Sequence, residues 1–170
     1  QNNKELIEEK KDIVQEEIED SNVIKDVEYK SKDSSGNEYI LKASEGTIDQ
    51  NNTNIIYLTS IKAVIELKGY NSIDISSNFG KYNIDNFDTI FSKNVIIKYL
   101  DNMIMGEYLE FSLNKNLMTI SKNVVFKNNK SSLKADVIEV DIKTKDIKIS
   151  MYEENKKINI KSLNKNNGRN

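Results

Sequence analysis

The side chains best equipped for reaction chemistry in this sequence are carboxylates and tyrosines. Asp85-Asn86-Phe87-Asp88 sets two carboxylates and an amide close together, the donor types that a hard cation such as calcium takes. The stretch lacks the glycine and terminal glutamate of a calcium loop, so it reads as a solvated turn. Among 27 acidic residues, no pair is singled out by spacing for glycoside hydrolysis, which needs two opposed carboxyl groups. Tyr82 and Tyr108 carry hydroxyls that suit a sugar or phosphate, but each reads first as a tyrosine with a wet tip at a sheet margin. Histidine and cysteine are both absent. A Ser-His-Asp triad and an H-E-x-x-H zinc site therefore cannot form, nor can disulfides or thiolate metal sites. Neither a P-loop nor a dinucleotide fingerprint occurs. The expectation is a protein that is not an enzyme and uses no cofactor or metal.

Charge narrows the partners. The chain has 25 basic against 27 acidic residues, a net charge of -2, so no field of one sign draws it to nucleic acid. The basic residues are lysines except Arg169, which leaves little for bidentate base or phosphate readout. At 170 residues one domain with a buried interior is expected. No apolar run is long enough to span a bilayer as a helix, and the chain starts at Gln1. Any membrane anchor is therefore expected upstream of it.

The elements that must position these side chains differ along the chain. Leu6, Ile7, Ile13, Val14 and Ile18 recur at helical spacing among Glu and Lys, which predicts a helical or partly ordered segment over 1–22. From Val23 onward apolar and polar residues alternate with period two, as a half-buried antiparallel sheet requires. Val27, Tyr29 and Ser31 share one face, and Tyr39, Leu41 and Ala43 return on the matching face after Asp33-Ser34-Ser35-Gly36-Asn37. That is a hairpin, with Gly36 supplying the positive backbone dihedral such turns need.

The stretch SKNVIIKY at 92–99 is written again as SKNVVFKN at 121–128, and the duplication belongs to a longer repeat. In each unit an inward alternation reaches a small residue and resumes three positions later: Leu41 and Ala43 lead to Gly46 and Ile48; Ile75 and Ser77 to Gly80 and Tyr82. Likewise Ile104 and Gly106 lead to Leu109 and Phe111, and Leu133 and Ala135 to Ile138 and Val140. A bulge or sharp bend produces such a change of phase. Each unit closes with a second strand, through Ile56, Leu58 and Ile61, through Phe91, Val95 and Ile97, through Met118, Ile120, Val124 and Phe126, or through Ile147, Ile149 and Met151. Units of roughly thirty residues stack into an elongated array. The predicted fold is all-β: an elongated, antiparallel, two-sheet β-jellyroll or trough built from two-stranded repeats over 23–163, after an N-terminal helical segment.

A trough of this kind is lined by Ile48, Leu58, Tyr82, Val95, Ile97 and Leu109, and further along by Phe111, Ile120, Val124, Phe126, Ile138 and Val140. Hydrocarbon sheltered there gains about 0.8 kcal/mol per methylene, on the order of 10 kcal/mol for a twelve-carbon chain before ordering costs. Two readings share these residues: a lipid-conducting groove, and the dry core of a structural or adhesive β-repeat protein.

The run Gly36-Asn37-Glu38-Tyr39-Ile40-Leu41-Lys42-Ala43, SSNFGKYN at 76–83, the two SKNV strands and LKADVIEVDIKTKDIKI at 133–149 together resemble the LptC family, with the related LptA repeat as near neighbour. The resemblance covers roughly residues 23–163. It implies a lipopolysaccharide transport component, a β-jellyroll in the periplasm anchored in the inner membrane by one helix that this chain lacks. Such a protein receives lipid A acyl chains from an inner-membrane ABC transporter and passes them to an LptA-like periplasmic bridge. Pairing of exposed strand edges would join the two. The predicted partner edge is a last hairpin, Ile147, Ile149 and Met151 against Ile158 and Ile160 to Leu163. A solvated, protected edge fits the same lysine-rich strands. The tail at 164–170 is polar and low in complexity and is expected to be disordered.

Overall fold

In a computed structural model residues 22–152 and 160–162 are described. Most of the expected N-terminal segment, the tail and Ile158 lie outside them. Ten strands follow one another: β1 (Val23–Lys32), β2 (Glu38–Ile48), β3 (Ile55–Glu66), β4 (Ile73–Asn83), β5 (Thr89–Tyr99), β6 (Asn102–Ser112), β7 (Leu117–Lys127), β8 (Ser131–Asp141), β9 (Ile147–Ser150) and β10 (Ile160–Ser162). Among the described residues there is no helix. The hairpin at 33–37 closes as expected, with the Gly36 N–H donating to the Asp33 carbonyl at 3.1 Å and Gly36 at φ 85.

The strands form one antiparallel sheet in which β1 to β8 pair in sequence order. This differs from the expected two sheets. Every neighbouring pair from β1 to β8 is in register on both sides of a short break at its middle, so each strand crosses a shared crease instead of ending at it. One flank holds residues 27–32, 38–43, 61–66, 73–77, 95–99, 102–106, 124–127 and 131–135. The other holds 23–25, 45–48, 55–59, 79–83, 89–92, 108–112, 117–121 and 137–141. The last predicted hairpin does not form. β9 pairs with the second flank of β8 (Ile147 opposite Val140) and β10 with the first (Ile160 opposite Leu133), so the two short strands share one neighbour and not each other.

The crease is built two ways. On β2, β4 and β6 small residues face inward: Gly46, Gly80 and Gly106. A Cβ on Gly106 would sit 2.8 Å from Ile120 Cγ1, and one on Gly80 would sit 2.9 Å from the Ile90 carbonyl oxygen, besides striking Ile61. Glycine is there because a neighbouring isoleucine fills the space. On β3, β5 and β7 the backbone turns left-handed, at Ser60 (φ 52), at Lys93 and Asn94 (φ 62 and 51), and at Lys122 and Asn123 (φ 65 and 55). β5 and β7 each carry one residue more than either neighbour across the crease, a bulge that swings both lysines outward. The SKNV strand is written twice because the same bulge is needed twice, and asparagine tolerates the left-handed region better than most residues.

Folding along the crease brings apolar faces of the two flanks together. Tyr39 on β2 packs edge-on against Phe111 on β6, with ring centroids 4.7 Å apart, and donates its hydroxyl to Thr89 Oγ1 on β5 at 3.0 Å. Tyr29 on β1 meets Tyr82 on β4 at 4.8 Å. A strand of the first flank thus faces one three or four places further along in the second.

Candidate functional site

That offset decides where the interior is filled and where it is open. Through the middle of the sheet the facing side chains interlock: Leu58, Tyr82, Val95, Leu109, Phe111, Ile120, Val124 and Ile138 are all buried in one continuous apolar cluster. Toward the C-terminal end, strands β5 to β7 of the first flank look for partners beyond β8, where, among the described residues, only the four-residue β9 stands. An apolar cavity of about 240 Å³ remains there. Its first wall is Ile73, Ile97, Tyr99, Asn102, Ile104 and Phe126; its second is Met118, Val140, Asp141, Ile142, Lys145 and Ile147. Phe126 and Val140 are half-buried against the core, whereas Ile147 is 48% exposed and forms the outer lip.

Of the twelve residues expected to line a trough, the structure brings three, Ile97, Phe126 and Val140, to this cavity. Ile48 packs half-buried against the far end of the core, and the other eight lie inside the packed cluster. Among the residues expected at the partner edge, Ile147 borders the cavity, while Ile149 and Met151 pack partly buried against the core. The sequence reading missed Ile73, Ile104, Met118 and Ile142 as cavity walls, because their facing partners follow from the offset of the flanks and not from alternation along a strand.

The polar candidates fall elsewhere. Tyr82 is 1% exposed and stacked on Tyr29, so it has no wet tip. Tyr108 lies on the outer face, donates its hydroxyl to Glu110 Oε1 at 3.2 Å and has the Lys122 ammonium 5.1 Å from its ring. The Asp85–Asp88 stretch is a turn whose Phe87 is buried in the core. Among the described residues no group of acidic side chains is arranged to hold a metal ion.

At the lip the turn from Asp141 to Asp146 is fixed by its own backbone. The Asp141 carboxylate accepts the N–H of Thr144 and of Lys143, each at 2.9 Å, and these bonds, led by Thr144, hold its carboxyl below the usual carboxylate range. The Lys145 ammonium donates to the Ile142 carbonyl at 2.6 Å and lies 4.5 Å from the ring centre of Tyr70, on the loop between β3 and β4. One cation therefore spans the gap between the flanks at the rim of an apolar space.

A sheet of bent, repeated strands creased over an apolar interior defines a β-jellyroll-like protein. The family model described as lipopolysaccharide-assembly, LptC-related, matches residues 1–152, and the chain belongs to that family. Membership supports a part in lipopolysaccharide transport. A comparison with curated proteins gave no match.

Proposed function

We propose that the protein takes lipid A acyl chains into the cavity at its C-terminal end and passes them from the inner-membrane ABC transporter to an LptA-like periplasmic bridge. The observation that carries this reading is the cavity itself: an apolar space walled by Ile73, Ile97, Ile104, Met118 and Phe126, open at the end of a sheet whose last strands are short. Hydrocarbon entering it leaves water at about 0.8 kcal/mol per methylene. Handover to a trough of like affinity is then nearly level, and direction comes from the pump. Pairing with the bridge would use the β8–β10 margin, including Ile147, Ile149, Met151 and Ile160, where short strands leave ladder groups for an incoming strand. On this reading the protein works in the periplasm, at the inner membrane.

The interlocked middle of the sheet, where Tyr39 meets Phe111, favours a second reading for that region: a dry scaffold with no ligand. A filling substitution separates the two. With Val140→Trp, displacement of a fluorescent fatty acid by purified lipid A should weaken about tenfold, the loss of roughly two buried methylenes, with unchanged circular dichroism. Wild-type affinity in that variant would remove the cavity as the binding site.

A further inference from the structure

Two turns on the rim of the second flank share one construction and differ in the side chain they aim inward. In 83–88, Asn83 Oδ1 accepts the Asp85 N–H at 2.9 Å, the Asn83 N–H donates to the Asp88 carbonyl at 3.0 Å, and the Phe87 N–H donates to the Asn83 carbonyl at 2.8 Å. In 141–146, Asp141 Oδ1 accepts the Lys143 N–H at 2.9 Å, the Asp141 N–H donates to the Asp146 carbonyl at 2.9 Å, and the Lys145 N–H donates to the Asp141 carbonyl at 2.8 Å. The fifth residue is left-handed in both, Phe87 at φ 65 and Lys145 at φ 68. In the first turn that residue plugs the interior with a ring that is 8% exposed. In the second the same backbone sets a lysine beside the cavity.

We propose that Lys145 is the anion anchor of this cavity, holding the phosphate of an amphiphile whose hydrocarbon tail lies against Ile104, Met118 and Phe126. The inference rests on the lipid reading above and adds the chemistry of the headgroup. A half-buried ammonium is costly without a strong partner. Lys145 has a carbonyl oxygen and the face of Tyr70, and among the described residues no carboxylate lies within ion-pair distance of it. Of the two acids on its own turn, Asp141 is occupied by the N–H groups of Thr144 and Lys143, and Asp146 makes no ion pair with it. Phosphate oxygens offer the charge-assisted bonds that the site leaves unmade. The tail then replaces what Phe87 supplies in the equivalent turn.

The test uses the full chain and soluble probes below their micelle concentrations: dodecyl phosphate, dodecyl maltoside and inorganic phosphate, followed by calorimetry. Wild type should bind dodecyl phosphate about tenfold more tightly than the maltoside, the scale of one hydrogen bond to a charged group, and inorganic phosphate far more weakly than either. Lys145→Gln should abolish the preference and keep the maltoside affinity; Lys145→Phe, which restores the plug, should weaken both dodecyl probes. Equal preference in wild type and Lys145→Gln, with both dodecyl probes still bound, would overturn the anchor and leave the cavity reading intact. Inorganic phosphate binding as tightly as dodecyl phosphate would overturn it too, as a site indifferent to the tail. Binding of neither dodecyl probe would overturn both.

Discussion

Tyr39 donates its buried hydroxyl to Thr89 Oγ1 at 3.0 Å, across fifty residues of sequence and from one flank of the creased sheet to the other. Thr89 in turn donates to the Phe87 carbonyl at 3.2 Å. The two partners should respond unequally to removal. Tyr39→Phe deletes a donor and leaves Thr89 bonded, at a cost of about 1 kcal/mol; Thr89→Val strands a buried phenol and should cost about 1–3 kcal/mol. Urea denaturation of the two variants measures this directly. A larger loss in Tyr39→Phe would contradict the interlocked middle.

The same phenol gives an alkaline signature. Burial pushes the Tyr39 hydroxyl well above its ordinary pKa, outweighing the opposing pull of the Thr89 hydrogen bond. The folded state therefore keeps a proton that the unfolded chain releases. That contribution is fully present below pH about 10, the ordinary tyrosine value, and is lost as pH rises beyond it, by up to about 1.4 kcal/mol per pH unit. Denaturation midpoints across this range should fall less steeply for Tyr39→Phe than for wild type. Parallel slopes would show that Tyr39 ionises while folded.

Gly80 should not accept a methyl group. Its Cβ would meet both Ile61 and the Ile90 carbonyl oxygen, so Gly80→Ala is expected to cost about 1–3 kcal/mol through forced backbone displacement. Adding Ile61→Val removes one obstacle and leaves the carbonyl, so the double variant should recover only part of the loss. Thermal denaturation scores this, at about 2–4 °C per kcal/mol for a chain of this size. Full recovery would place the crowding in side chains alone.

Asn123 tests the bulge of the duplicated strand. It is exposed and left-handed at φ 55. Asn123→Gly should leave stability within about 0.5 kcal/mol of wild type. Asn123→Val forces a β-branched residue into that region and should cost about 1–3 kcal/mol. Equal stability of the two variants would mean that the left-handed bend is not required.

Much of the sheet was legible because burial imposes alternation. The inward phase that stops at Ala43 and resumes at Gly46, or stops at Ser77 and resumes at Gly80, is present in the residue types, and burial in the structure changes phase at each. The SKNV bulges were legible as repeats, though not their cause, since two successive left-handed residues leave no mark in hydrophobic spacing. The final hairpin was misread because β9 and β10 alternate like partners while each finds a separate half of β8. The cavity was the least visible feature. It arises from an offset between facing flanks, which pairing within a sheet does not reveal, and Lys145 becomes conspicuous only when 141–146 is laid over 83–88.

The contrast between an open mouth and a filled middle is measured most directly by photo-crosslinking. A benzoylphenylalanine placed at Phe126, on the cavity wall, or at Phe111, 2% exposed under Tyr39, is introduced into the native protein in cells and irradiated. Adducts with lipopolysaccharide are expected at Phe126 and not at Phe111. Labelling at Phe111 with none at Phe126 would contradict a lipid path through the C-terminal end.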